Sequence, residues 1–350
     1  MQKTIYIHVG MSKTGTTSIQ QMLAKNEDLL SQTGILFPKW ARKNGIGHHS
    51  LAAYIKQGKD EDHALKLKAE VSSSKHQKVI VTSELFERMS EDKWRALGQF
   101  FSPFRVKLII YLRRQDDAII SMYNELVKKH ALDLTFADYL IKSPRIDLLD
   151  YRKTLNVISN VFGRENLSVG IFSKTHLLEG DIGRDFSARI TADLLHFDEF
   201  TAEHNNSSLM PATAMLMARI NRNTDFDVDH SKHYGPACKL AEWLETSVSH
   251  STDILHDYFA SQQQRESFLA QFTESNQVIS DLYLNGKQFI QPTINKITAN
   301  LTLDEEKELL EHALQMLLQR NKEKFGELDG LAKTIGVLWL PELKAMIEKP

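Results

Sequence analysis

Four short apolar runs rich in β-branched residues set the narrowest bounds on how this chain can fold. They are TIYIHV (4–9), KVIVTS (78–83), VKLIIYL (106–112) and LSVGIF (167–172). Each is apolar on both faces and bounded by polar or turn residues, the pattern of a strand buried on two sides. Helical stretches lie between them, over roughly 16–30, 50–70, 90–101 and 115–130. Alternating strand and helix requires crossover connections, and so a mostly parallel sheet flanked by helices. The expected class is α/β. Strand signals become sparse after about residue 200. The chain therefore divides into an α/β core over 1–200, a helical portion over 201–300 and a helical appendage over 301–350. The capping box Thr302–Glu305 announces a helix in that last region.

Two helix ends are well marked. QDDAIISMYNELVKKH puts Asp116 and Asp117 in a first turn and Lys128, Lys129 and His130 in a last turn. Both ends complement the helix dipole, and Ile119, Met122, Tyr123 and Leu126 form one apolar stripe. Ser90, followed by Glu91 and Asp92, opens the helix that Pro103 follows.

At 350 residues and 42% hydrophobic content, the chain can bury a sizeable core. Forty-three Lys and Arg against 45 Asp and Glu leave a net charge of -2. No global field draws the protein to nucleic acid or an anionic membrane, so a polyanion site must be a local pocket. Cys238 stands alone, which excludes a disulfide framework and argues against a cysteine-based metal site. No run is long and uncharged enough for a membrane anchor, and the first apolar run is too short for a signal peptide. A cytoplasmic protein is expected, with no transmembrane segment and no nucleic-acid partner.

The first run leads straight into IHVGMSKTGTT (7–17). Gly10 and Gly15 have the spacing of a triphosphate-binding loop, which would continue with Lys and then Ser or Thr. Here Thr16 and Thr17 follow, and the lysine comes earlier, at Lys13. The turn falls at the carboxyl end of a strand, where open parallel sheets bind ligands. Backbone N–H groups and the helix dipole favour an anion there, and Gly15 lets the backbone approach closely. A lysine at the apex would meet one phosphate and the atom bridging away from it. That suits a short phosphoanhydride, not a metal-bound triphosphate. The third run ends in the same way: YLRRQDDAIISMY (111–123) places Arg113 at a strand end and Ser121 eight residues on, in the following helix. The arginine fork and the hydroxyl could converge on one phosphate. They could equally be a surface ion network and a packed serine.

Together these motifs resemble the sulfotransferases that use 3′-phosphoadenosine-5′-phosphosulfate (PAPS). KTGTTS (13–18) is similar to their 5′-phosphosulfate loop, and the Arg113–Ser121 pair to their 3′-phosphate site. More narrowly, the chain resembles a bacterial group carrying IHxGxxKTGTTS, then YLRRQ, then a segment like FGRENLSVGIF (162–172). The likeness covers about residues 1–210. Gln115 departs from the proline that many cytosolic members have after the arginine pair. The resemblance implies a P-loop-like core in which Lys13, Thr14, Gly15, Thr16, Thr17 and Ser18 hold the 5′-phosphate. Arg113 and Ser121 hold the 3′-phosphate, with PAPS as co-substrate, PAP as product and no metal. The acceptor it implies is a hydroxyl on a carbohydrate or glycolipid.

Transfer to a hydroxyl needs a base. The second run ends in Ser83-Glu84, and a parallel sheet would bring that end beside the first loop. Related enzymes carry a base at such a strand end, so Glu84 is the first candidate. Its plainer reading is a helix-start carboxylate, or a pair with Arg88 four residues on. His48 and His49, in GHHS (47–50), are the rivals, since histidine titrates near neutrality. Asn205 to Ser208 resembles a family N-x-S segment. Two alternatives stay open: a P-loop nucleotide kinase, which lacks its lysine at position 16, and a non-catalytic PAP- or PAPS-binding protein, which needs no base.

Overall fold

The computed structural model describes residues 2–202, 209–222, 238, 241–242, 245 and 257–289. Segment 301–350, with Thr302–Glu305, and the Asn205–Ser208 segment lie outside the described residues. Five strands form one sheet: β1 (Thr4–Gly10), β2 (Ile35–Leu36), β3 (Lys78–Thr82), β4 (Arg105–Leu112) and β5 (Leu167–Ile171). All four pairings are parallel, in the order β2-β3-β1-β4-β5. Four strands lie on the four apolar runs of the sequence. The fifth, β2, has two residues, too few to carry a hydrophobic period.

Twelve α-helices have bounds among the described residues. They are α1 (Thr16–Lys25), α2 (Glu27–Gln32), α3 (His49–Gln57), α4 (Glu61–Ser73), α5 (Glu91–Phe100), α6 (Gln115–Lys129), α7 (Phe136–Lys142), α8 (Tyr151–Phe162), α9 (Ile182–Ile190), α10 (Pro211–Arg222), α11 (Gln262–Ala270) and α12 (Thr273–Tyr283). None is long and apolar enough to cross a membrane. Two helices expected as single pieces are broken. Over 16–30 the break is at Asn26, whose side-chain amide donates to the Met22 and Glu199 carbonyls, both at 2.9 Å. A side chain that bonds nearby backbone competes with helix propagation. Over 50–70 the break is at Gly58 and Asp60, which take left-handed φ values of 70° and 60°.

Contacts divide the chain into two compact units. The first comprises Met1–Gln115, Leu148–Asn206 and Phe272–Ile290; the second comprises Asp116–Asp147, Ser207–Gln271 and Gln291–Pro350. The sheet belongs to the first unit. On one face Tyr6, Ile80, Ile109 and Tyr111 pack against Ile19, Met22 and Leu23 of α1 and Ile182 and Phe186 of α9. The opposite face, with Ile5, Ile7, Val79, Val81 and Leu108, is equally buried, and α8 packs against β4. Burial of both faces explains why the strands read as continuous apolar runs. A cluster around the fully buried Tyr111 ties α9 to the sheet: the Tyr111 hydroxyl donates to Asp185 Oδ1 at 2.7 Å, and the half-buried Arg189 reaches the same oxygen through Nε at 2.6 Å.

Within the second unit, α6 buries Ala118, Ile119, Met122, Tyr123 and Val127; of the expected stripe Leu126 is only half-buried, and Ala118 and Val127 are buried beside the other three. Asp116 is fully buried there and pairs with Arg265 at 3.3 Å, so it does more than meet the helix dipole.

Candidate functional site

After β1 the chain turns to one side of the sheet, towards β2 and β3. After β4 it continues to the other side, to β5. The carboxyl ends of the neighbours β1 and β4 are therefore a topological switch point, where open α/β sheets form a binding crevice. The Lys13 loop springs from one of these ends, and Arg113 follows the other.

The loop is held in a special shape. Lys13 has φ 68°, in the left-handed region, and Gly15 follows at φ 77°. Such a conformation costs a non-glycine residue about 1–2 kcal/mol, and positions of this kind cluster at ligand sites. Gly15 is the N-cap of α1 and gives that helix no side-chain cap. The first-turn N–H groups have no intrahelical acceptor, as at any helix start. A Cβ on Gly15 would lie 3.0 Å from the Phe172 ring, so the close packing needs glycine there as well as the backbone freedom. Thr14 is fully buried and its hydroxyl turns back to the Met11 carbonyl at 2.5 Å; Thr16, also buried, is 3.4 Å from the same oxygen. Thr17 is exposed and Ser18 half-buried.

The two sequence motifs meet. Arg113 Nη1 donates to the Lys13 carbonyl at 3.1 Å, and its guanidinium lies 5.8 Å from the centre of the Phe172 ring. The Arg113 carbonyl accepts the Tyr151 hydroxyl at 2.8 Å. Gln115 is fully buried and forms a reciprocal amide pair with Asn276, at 2.7 and 3.1 Å. This turn is pinned by side chains where a proline would stiffen the backbone. Ser121 is buried on the second turn of α6, within the second unit.

β3 pairs with β1, so the Ser83-Glu84 end lies beside the loop; a Cβ on Gly10 would come within 3.5 Å of Glu84 Cα. Ser83 caps a 3₁₀ turn, Glu84–Arg88, by accepting the Leu85 N–H. The Glu84 carboxylate is about one-third exposed, and its two oxygens have different neighbours: His49 Nε2 at 3.9 Å from Oε1, and Gln20 Nε2 donating to Oε2 at 3.1 Å. His49 Nδ1 is hydrogen-bonded to Ser83 Oγ at 2.8 Å. Of the two plainer readings, Glu84 does open a short helical turn, whereas Arg88 bonds to Glu87, at 3.3 Å.

His48 is placed otherwise. It is fully buried, accepts the Thr82 N–H at Nδ1 (3.2 Å) and donates from Nε2 to the Pro38 carbonyl (3.1 Å). Burial, with the Arg42 charge nearby, brings its pKa down to about 3. Both ring nitrogens are committed to the fold, which leaves His49 as the histidine beside Glu84.

Three residues of this site were assigned no role from the sequence. Gln20 is a buried amide on the apolar face of α1, and a polar residue within IQQML was the available signal. Glu87 accepts both the N–H and the hydroxyl of Ser12. Gly47 leaves room for its neighbours: a Cβ there would stand 2.7 Å from the His49 ring and 2.8 Å from Gln20 Nε2.

No protein-family model matches the chain. The chain is similar to an uncharacterised protein of Archaeoglobus fulgidus, 26% identical over 213 residues. The match takes in 61% of this chain and 55% of that protein, so the chain spans about half the length of this curated relative. Among solved structures it is similar to a sulfotransferase from Alicyclobacillus acidocaldarius, with a TM-score of 0.39 and 18% identity over 62% of this chain and 92% of the other. The α/β assignment stands on the strand order and helical layers described above.

Proposed function

We propose that this protein is a sulfotransferase that moves a sulfuryl group from PAPS to an acceptor hydroxyl on a carbohydrate or glycolipid, in the cytoplasm. The observation that carries the reading is the meeting of its two anion motifs: Arg113 bonds to the carbonyl of a left-handed Lys13 at the switch point of the sheet.

The residues present fit a nucleotide with phosphates at both ends. At the 5′ end, α1 offers an uncapped first turn, and Gly15 removes the side chain that would crowd it. The Thr14 hydroxyl is used inside the loop, so Thr14 would contribute its backbone N–H, while Thr16, Thr17 and Ser18 complete the cradle. Arg113 is the 3′-phosphate ligand of the first unit in this reading; Ser121 belongs to the second unit, and its pairing with Arg113 rests on the sequence motif alone. PAPS supplies the sulfuryl group; the chain binds it, orients it and manages charge. The acceptor oxygen bonds to sulfur as the sulfur–oxygen bond to the 5′-phosphate breaks. The acceptor proton passes to the Glu84 carboxylate, with His49 beside it. The departing electron pair stays on the phosphate oxygen, where Lys13 stabilises the developing charge. None of these roles calls for a metal.

Calorimetry of the purified protein with adenosine 3′,5′-bisphosphate in excess EDTA tests the reading. Saturable metal-free binding is expected, together with transfer of labelled sulfate from PAPS to a sugar hydroxyl. Absence of both overturns it.

A further inference from the structure

We propose that Gln20 is a positioning residue for the Glu84 carboxylate, holding it at the crevice from the helix that the phosphate loop opens. The inference rests on the sulfotransferase reading, and it assigns work to a side chain which no motif includes.

Gln20 is 2% exposed and lies on the α1 face that also buries Ile19, Met22 and Leu23. An amide in such a place destabilises the fold unless it is hydrogen-bonded. Its Nε2 donates to Glu84 Oε2 at 3.1 Å and lies 3.5 Å from Thr82 Oγ1, which is itself bonded to His8 Nδ1 at 2.9 Å. His49, from α3, approaches the other carboxylate oxygen. Residues of two helices thus face the two oxygens of one carboxylate, and the Gln20 amide supplies the hydrogen bond that orients it. Gly47 completes the arrangement, because any side chain there would strike both His49 and Gln20.

The charges around Glu84 leave the orienting role to a neutral group. On its own turn, Arg88 is bonded to Glu87. From α3, Lys56 bonds to the Leu85 carbonyl at 3.3 Å and His49 is bonded to Ser83. The loop packed on this turn carries Lys13. A cation in place of Gln20 would favour the charged carboxylate strongly and weaken it as a proton acceptor. An amide N–H orients it without adding a charge. Gln20 also lies one helical turn beyond Thr16, about 6 Å along the axis. A shift of the phosphate loop therefore reaches the base through one rigid turn.

Gln20→Met keeps the length of the side chain and removes the N–H. Losing the N–H that orients the carboxylate predicts a kcat lowered about 10–100-fold. Affinity for PAP should stay within about twofold. In a Glu84→Gln background the same change should lower kcat no further, since Gln20 acts only through Glu84. A second readout needs no turnover: the Gln20 side-chain amide resonance, identified by its loss in Gln20→Met, should move in Glu84→Ala. Parental kcat in Gln20→Met, an equal loss in both backgrounds, or an unmoved amide resonance overturns the proposal. A parent protein that neither binds PAP nor transfers sulfate overturns the sulfotransferase reading instead; the amide resonance then judges the contact alone.

Discussion

Ser12 donates both its backbone N–H and its hydroxyl to the Glu87 carboxylate, at 2.5 and 2.6 Å. Glu87 is buried and stands three residues after Glu84 on the same 3₁₀ turn. Side chains three apart on such a turn eclipse one another, so one turn presents two carboxylates on the same side. Glu87 grips the residue before Lys13, and Glu84 stays partly open. The loop and the turn that bears the candidate base are therefore fastened together. Glu87→Ala should lower the unfolding free energy by about 1.5–3 kcal/mol and weaken PAP binding, with Glu87→Gln in between. Urea unfolding and calorimetry check this; an alanine variant equal to the parent in both would show that the clasp does nothing.

Lys13→Ala should lower kcat by roughly 10²–10³-fold, the scale for removing one stabiliser of developing charge. Steady-state kinetics at saturating PAPS makes the measurement. A rate within twofold of the parent removes Lys13 from the leaving-group role.

Arg113→Ala loses the 3.1 Å bond to the Lys13 carbonyl as well as the proposed 3′-phosphate contact. PAP binding should weaken by about 1.5–3 kcal/mol. Adenosine 5′-phosphosulfate, which lacks the 3′-phosphate, should lose much less. Equal losses for the two ligands would assign Arg113 to the loop alone.

Acid should destabilise the fold through two histidines. His8 and His48 are fully buried, and burial brings each pKa from 6.5 down to about 3. In the unfolded chain both titrate near 6.5. Between these values the unfolded state holds more protons, so stability is complete above about pH 6.5 and falls as pH drops towards 3. The slope is about 1.4 kcal/mol per pH unit for each histidine, which gives a loss of about 2–3 kcal/mol between pH 7 and 5.5. Urea unfolding at these two pH values measures the loss, and His48→Gln should remove about half of it. A pH dependence unchanged in the variant sinks the assignment.

Gln115→Pro suits the backbone, since proline is favoured at the first position of a helix. It also strips Asn276 of its amide partner. The variant should be less stable by about 1–3 kcal/mol, read by chemical unfolding. A neutral or stabilised variant would mean that turn rigidity outweighs the amide pair.

Much of this was legible in the sequence, for physical reasons that differ by element. Strands buried on both faces must be apolar throughout, so β1, β3, β4 and β5 stood out, whereas β2 is too short to show a period. The ends of α6 were marked by charges that suit the helix dipole. The break at Asn26 was hidden because a side-chain amide that bonds Met22 looks, as a letter, like any polar surface residue. Lys13, Arg113 and Glu84 belonged to motifs or strand ends, and the pairing of β3, β1 and β4 follows from crossover topology. Gln20, Gly47 and Glu87 were silent because their importance lies in contacts between segments far apart in the chain. His48 and His49 are adjacent letters with opposite fates: helix α3 begins between them, burying one ring and leaving the other beside Glu84.

β1 lies between β3 and β4, so the carboxylate of Glu84, the apex at Lys13 and the guanidinium of Arg113 are suspended from three consecutive rungs of one ladder. Rungs in a sheet stand about 4.8 Å apart, a spacing fixed by main-chain hydrogen bonding and indifferent to side-chain identity. Substitutions elsewhere can recast the surface around these ends without recalibrating the spacing of the strands that carry Lys13, Glu84 and Arg113.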